Sequence, residues 1–116
     1  MYPLILHRNL AAERWHRLST AQQVLMIANE LHRAGNWIAK GAPDEVNACY
    51  ERAFELCDLT GEDRRWRRNA RRELRRFREL LASLYLSEKK EYRANEQLYR
   101  GLIQLDPEAW NLVKED

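Results

Sequence analysis

The stretch from Arg64 to Arg78 holds nine arginines and one acid, and apolar residues recur through it at the spacing of an α-helix. On a helix turning about 100° per residue, the arginines lie opposite an apolar stripe formed by Trp66, Ala70, Leu74, Phe77, Leu81 and Leu84. This pattern predicts one long amphipathic helix over 61–87, with Thr60 capping its start and two acids, Glu62 and Asp63, in its first turn. We expect the apolar stripe to make it the core helix of the domain.

A second strong helix signal begins at Ser19. Ser19 with Gln22, or Thr20 with Gln23, forms a capping box that marks the start of this helix. Gly41 is typical of the residue that follows the end of a helix. Gly35 inside this helix either permits close approach of another helix or marks an earlier end. A proline two residues after Gly41 predicts the start of the next helix, over 43–59.

Short connections join these helices to a fourth, expected over 91–105, so neighbouring helices should pack antiparallel. We predict an all-α fold, an antiparallel helical bundle of three to four main helices with short terminal helices. A chain of 116 residues fits a single domain, 1–116. Its ends are expected to form an N-terminal docking segment, 1–18, and a C-terminal docking turn, 106–116, which places Trp110 for docking.

The sequence contains neither a signal-peptide pattern nor an apolar run approaching the roughly 18 residues of a membrane span. Cys49 and Cys57 are expected on one helix, about 12 Å apart along its axis, which is too far for a disulfide. We therefore expect a cytoplasmic protein that makes no membrane contact and keeps both thiols buried in a reducing compartment.

The net charge of +2 conceals a strong separation of charge along the chain. Seven acids and one arginine lie from Asp44 to Asp63, whereas the segment from Arg64 to Arg78 has a balance of +8. The two helices should therefore present complementary surfaces, either within the chain or between two copies. The predicted acidic face consists of Glu45, Glu51, Glu55 and Asp58. The predicted basic face consists of Arg64, Arg65, Arg68, Arg71, Arg72, Arg75 and Arg76.

Two further roles for the basic face stay open. It is either a solvated surface or a binding site for RNA, DNA or another polyanion, because arginine binds phosphate in a bidentate manner. An exposed tryptophan beside it could stack on a base, but Trp66 lies on the apolar stripe and is expected to be buried.

Met26 and Trp37 lie away from the apolar stripe of their helix, which is formed by Val24, Ile27 and Leu31. A helix that is apolar on two sides is either central in a fold or part of a partner surface. Met26 and Trp37 are therefore candidates for an apolar interaction surface.

No residue pattern indicates catalysis, metal binding or a cofactor. His7, His16 and His32 form no i,i+4 pair, and no cysteine lies at a metal-ligand spacing from a histidine. The Glu-x-x-His spacing from Glu13 to His16 is single, whereas a di-iron bundle needs two. Phosphate-binding loops and hydrolase or kinase motifs are also absent from the sequence. We expect no enzymatic activity, no metal and no cofactor.

Two sets of residues resemble known families. One set resembles a tetratricopeptide helical hairpin in its spacing, and it consists of Leu81, Ala82, Tyr85, Ala94, Leu98, Gly101, Asp106 and Pro107. The other resembles a family of small, uncharacterised prokaryotic helical proteins, and it consists of Gln22, Gln23, Ile27, Ala28, Glu30, Trp37, Lys40, Gly41 and the run from Tyr50 to Thr60. This second resemblance covers about Leu18 to Leu84 and implies an all-helical cytoplasmic protein, without implying an activity.

Together these observations favour a non-enzymatic protein–protein interaction module that self-associates as a homodimer through its acidic and basic helix faces. The alternative is binding of RNA or DNA through the arginine face of helix 61–87.

Overall fold

Six α-helices account for most of residues 12–114, which is the part of the chain that the computed structural model describes. They are α1 (Ala12–Arg17), α2 (Thr20–Ala39), α3 (Pro43–Gly61), α4 (Arg68–Leu86), α5 (Tyr92–Ile103) and α6 (Pro107–Lys114). No strand occurs in this range, so the predicted all-α helical bundle is confirmed. None of these helices is both long enough and apolar enough to cross a membrane.

The boundaries of α2 follow from local sequence signals. At its start, the Ser19 hydroxyl accepts a hydrogen bond from the Gln22 amide at 3.1 Å, and the Gln22 side chain accepts one from the Ser19 amide at 2.8 Å. The predicted capping box is thereby confirmed. At the other end, Gly41 has a φ of +70°, a conformation that glycine adopts without strain and that commonly ends helices.

The helices pack around α2. It contacts α3 and α5, and α4 completes the ring by packing against those same two neighbours. The short α1 lies on α3, and α6 lies on α2 and α5. Gly35 is buried inside α2, where an added Cβ would approach the Asn95 side chain of α5 within 3.3 Å. The first of the two expectations for Gly35, close helix approach, is therefore confirmed.

The core helix of the bundle is α2, not α4. Nine residues of α2 are buried, whereas α4 buries only Leu74, Phe77 and Leu81. The prediction from the arginine-rich stretch is wrong on this point. The reason is geometric: α2 is apolar on two sides and faces two large neighbours, whereas charge on most of the surface of α4 leaves it a narrow stripe to bury.

The predicted helix over 61–87 is also wrong at its start. α3 continues to Gly61, a loop follows over 62–67, and α4 begins only at Arg68. Thr60 lies inside α3, where its hydroxyl donates to the Leu56 carbonyl at 2.7 Å, so it does not cap the arginine helix. Glu62 and Asp63 lie in the loop and not in a first helical turn.

The two predicted docking segments are only partly within the described range. Residues 1–11 of the segment 1–18 and residues 115–116 of the segment 106–116 lie outside it. The C-terminal segment forms α6, which buries Ala109 and leaves 40% of Trp110 exposed. The docking role expected for Trp110 stays a prediction.

Candidate functional site

The loop over 62–67 is fixed to the bundle through a buried carboxylate. Asp63 accepts hydrogen bonds from the Gln23 side-chain amide at 2.9 Å, from the Arg65 backbone amide at 3.0 Å and from the Arg65 guanidinium at 2.6 Å. The Arg65 guanidinium is the main reason that the pKa of Asp63 lies well below its usual range, and the backbone amide and Gln23 act in the same direction. Asp63 is therefore ionised in the folded protein at any ordinary pH.

Gln23 and Trp66 complete this attachment. The Gln23 amide also donates to the Trp15 carbonyl at 3.0 Å, and its oxygen accepts the indole N–H of Trp66 at 2.7 Å. Trp66 is only 5% exposed, so its predicted burial is confirmed, although it reaches the core from a loop and not from a helix. A buried indole whose N–H is already bonded offers no face on which a base could stack.

Two arginines of the predicted basic face serve the same loop. Arg71 is half-buried, and its guanidinium donates to the backbone carbonyls of Asp63 and Trp66. Arg65 pairs with Asp63 and also donates to the Leu18 carbonyl. Helical spacing does not predict this role, because on a regular helix over 61–67 those carbonyls would be occupied by intrahelical hydrogen bonds.

The other five arginines of the predicted face are exposed, and so is Arg67. We refer to these six residues as the arginine surface: Arg64, Arg67, Arg68, Arg72, Arg75 and Arg76. Within residues 12–114, no acidic side chain forms an ion pair with any of them. The four on α4 lie between Arg68 and Arg76, a distance of about 12 Å along the helix axis.

The start of α4 adds to the positive potential of this surface. Arg67 occupies the N-cap position without a side-chain capping bond, and the first turn of α4 contains no acid. Helix N-termini are the positive end of the helix dipole, where a cation costs about 0.3–1 kcal/mol. This arrangement opposes folding locally, and a bound anion would relieve it.

The predicted acidic face is largely directed into the protein. Asp58 pairs with Arg78 of α4 at 2.9 Å, and Glu51 accepts a hydrogen bond from the Tyr85 hydroxyl at 3.2 Å. Glu55 is half-buried, and only Glu45 is exposed. The charge match between α3 and α4 therefore exists within the chain, but it runs through Arg78, which the predicted basic face did not include.

The two apolar candidates on α2 differ in their surroundings. Met26 is 40% exposed. Trp37 is half-buried, and the Lys40 ammonium lies 5.0 Å from the centre of its ring, a cation–π arrangement. The structure does not bring these residues together with the arginine surface, because they lie on a helix that α4 does not contact extensively.

The titratable groups in the interior serve the fold. Glu30 is buried and binds Arg52 at 2.7 Å and Arg33 at 2.9 Å. Burial raises the pKa of Cys49, and it raises the pKa of Cys57 to about 12. Among residues 12–114, no cluster of three or more histidine, cysteine or acidic side chains has a geometry that could hold a metal ion.

Comparison of the chain with protein-family models, curated proteins and solved structures finds no match. The two resemblances described from the sequence therefore stay predictions.

Proposed function

We propose that this protein binds nucleic acid through the phosphate backbone, using the arginine surface. The observation that carries the proposal is that six exposed arginines, two in the loop before α4 and four on α4, have no ion-pair partner among the acidic side chains of residues 12–114. The start of α4 between them has no side-chain cap. Like charges at i,i+4 destabilise a helix by about 0.2–0.5 kcal/mol per pair. If this surface served only the stability of the fold, we would expect its arginines to form ion pairs with acidic residues or to alternate with uncharged ones.

The mode of binding follows from the surrounding residues. Arginine binds phosphate through paired N–H donors, and about 12 Å of helix axis matches roughly three phosphates along one strand at 3.4 Å per nucleotide. Because Trp66 is buried and bonded to Gln23, no aromatic ring of the loop is available for stacking. The protein should therefore bind with little sequence preference, since phosphate contacts carry no base information.

The anchored loop gives this surface a fixed shape. Asp63, Gln23 and Arg71 hold the residues that precede α4, so Arg64 and Arg67 are presented from an ordered loop. A surface that is already ordered loses less conformational entropy on binding. A location in the cytoplasm fits this function and the two buried free cysteines. The proposal involves no catalytic step and no cofactor.

The test is the salt dependence of binding to labelled oligonucleotides, measured by fluorescence anisotropy. We compare the wild type with Arg68→Gln/Arg72→Gln/Arg75→Gln and with a control of equal net charge, Lys40→Gln/Lys89→Gln/Arg93→Gln, whose positions are also exposed. On duplex DNA, log K falls as log salt rises, and the first variant should make this slope shallower by roughly 3, at about 0.9 per lost phosphate contact. The control should leave the slope almost unchanged.

Two results would overturn the proposal. One is the absence of binding to duplex DNA, single-stranded DNA and single-stranded RNA at a low salt concentration, about 50 mM. The other is an equal loss of affinity in both variants, which would show that only the total charge matters.

The homodimer paired through charge is the second candidate function. Its support is the exposed pair Asp44 and Glu45 at the start of α3, which the arginine surface of a second copy could bind. It has less support than nucleic-acid binding because Asp58 and Glu51 already have partners in the chain. Salt should dissociate such a dimer, and light scattering at low and high salt measures this directly.

A further inference from the structure

A cavity of about 200 Å³ lies between the last turns of α3 and the residues of α4 that pack against them. Among the residues that line it are three arginines of α4, Arg71, Arg75 and Arg78, and one acid of α3, Asp58. The arginines are spaced i, i+4 and i+7, so their side chains project from one side of the helix. Three guanidinium groups and a single carboxylate therefore share one small cavity.

Contacts within the fold already orient two of these arginines. Arg71 donates from Nε to the Trp66 carbonyl at 3.1 Å and from Nη2 to the Asp63 carbonyl, and these bonds leave its Nη1 group available. Arg78 donates from Nε and Nη2 to the two carboxylate oxygens of Asp58, at 2.9 Å and 3.3 Å. Side chains that are ordered before a ligand arrives lose less conformational entropy when they bind it.

Arg75 lies between these two arginines on α4, and no described contact of the fold accounts for it. Its side chain is exposed, and no acidic side chain of residues 12–114 forms an ion pair with it. Like charges at i,i+4 destabilise a helix, and Arg75 stands in that position relative to Arg71. An anion held between the three guanidinium groups would relieve this repulsion.

The cavity keeps a positive balance after the negative groups of α3 are counted. Three arginines against Asp58 leave two positive charges on the residues that line it. The end of α3 contributes the negative pole of a helix dipole, roughly half a charge, which reduces this balance without cancelling it. Charges act more strongly on each other in a recess than in open water, because the local dielectric constant is lower. The cavity should therefore attract a small anion.

We propose that this cavity binds a phosphate group with close to two negative charges, either inorganic phosphate or the terminal phosphate of a nucleic-acid strand. Arginine matches phosphate oxygens with paired N–H donors, and a terminal phosphate carries about −1.5 to −2 at pH 7, as a phosphorylated side chain does. The cavity is smaller than the roughly 300–1,000 Å³ of sites that enclose a drug-sized ligand. It therefore has room for a phosphate and not for the attached nucleoside, which disfavours an internal phosphate of a strand.

Isothermal titration calorimetry with inorganic phosphate, at a constant ionic strength set by chloride, tests the proposal. The wild type should bind one phosphate per chain. Arg75→Gln should raise the dissociation constant about fivefold or more, which corresponds to the loss of one charge-assisted hydrogen bond at a partly exposed site. Arg75→Lys should fall between the two, because lysine keeps the charge without the paired donors.

The matched control is Arg76→Gln. Arg76 is the next residue on the same helix, it is also exposed, and it does not line the cavity. The change in net charge is identical, so Arg76→Gln should leave the dissociation constant for phosphate almost unchanged.

Two forms of one short oligonucleotide, with a 5′-phosphate or a 5′-hydroxyl, identify the source of the phosphate by fluorescence anisotropy. Tighter binding of the phosphorylated form, abolished by inorganic phosphate, assigns the cavity to a strand end, and that assignment rests on the proposed function. Equal binding of both forms assigns it to free phosphate. Arg68→Gln/Arg72→Gln lies outside the cavity, so it should weaken nucleic-acid binding and leave phosphate binding intact. The two proposals can therefore fail separately.

Two results would overturn the phosphate site. One is the absence of any binding of inorganic phosphate beyond that of chloride. The other is equal weakening of phosphate binding by Arg75→Gln and Arg76→Gln, because the anion would then respond only to the total charge of α4.

Discussion

Replacing Asp63 with asparagine should destabilise the protein by about 3 kcal/mol at neutral pH. The bond from Gln23 reaches an ionised carboxylate that is only 4% exposed, and hydrogen bonds to buried charges contribute about 1.5–3 kcal/mol. The ion pair with Arg65 adds at most about 1 kcal/mol, because that guanidinium is 46% exposed and screened by water. Asparagine keeps the shape of the side chain but can accept at one atom only.

The loss should depend on pH in a defined direction. In the folded state the pKa of Asp63 lies below its ordinary value because Arg65 donates to the carboxylate. Between these two values the unfolded chain carries the proton and the folded chain does not, so stability falls as the pH falls through this window. The difference between wild type and Asp63→Asn should therefore be constant above about pH 5 and shrink below about pH 4, by up to about 1.4 kcal/mol per pH unit.

Urea unfolding followed by circular dichroism at pH 7, 5 and 3 measures this difference. The other carboxyl groups are present in both proteins, so their titration cancels to first order. Glu62→Gln is the control, since Glu62 is the exposed neighbour in the same loop and should change stability by less than about 0.5 kcal/mol. A difference below about 1 kcal/mol at pH 7, or one that does not shrink in acid, would refute the role given to the Asp63 carboxylate.

The remaining predictions concern the interior. Asn95→Ala should cost about 3 kcal/mol in urea unfolding. It leaves the buried Tyr50 hydroxyl, which donates to Asn95 at 2.8 Å, unsatisfied at about 1–3 kcal/mol, and it removes the second hydrogen bond of the Leu31 carbonyl, 2.9 Å long, at about 0.5–1.5 kcal/mol. A loss below about 1 kcal/mol would contradict this. Cys57 should react with a disulfide reagent at pH 8 only as fast as the protein opens, because its thiol is buried and burial raises its pKa to about 12. Rapid labelling of the native protein would show that the thiol is accessible.

Local signals determined how much of the fold the sequence predicts. Both ends of α2 and the start of α3 are encoded within a few residues, by the capping box at Ser19, by Gly41 and by Pro43, and all are confirmed. The start of α4 was missed because the helical spacing continues through Trp66 by coincidence. The loop before α4 is instead held by the hydrogen bonds that join Asp63 and Trp66 to Gln23, which lies 40 and 43 residues before them in the chain.

The sequence likewise predicts only part of the candidate site. Helical spacing correctly predicted that Arg68, Arg72, Arg75 and Arg76 face solvent. It could not show that Arg65 and Arg71 are occupied, since their acceptors are carbonyls of a loop that exists only in the tertiary structure. The open groove between α4 and α5, lined by Phe77, Leu80 and Leu98, could not be predicted either, because it depends on the two helices being neighbours in space.

The buried side chain of Asn95 has a consequence for the order in which the protein folds. Its bonds to Leu31 and Tyr50 join residues that are 64 and 45 positions apart, whereas α2 and α3 are joined by a three-residue turn. The entropy lost on closing a loop grows with the logarithm of its length, so the pairing of α2 with α3 should precede the docking of α5. Contacts made after the transition state govern the unfolding rate more than the folding rate. Replacing Asn95 with alanine should therefore raise the unfolding rate more than it lowers the folding rate, which shortens the lifetime of the native state.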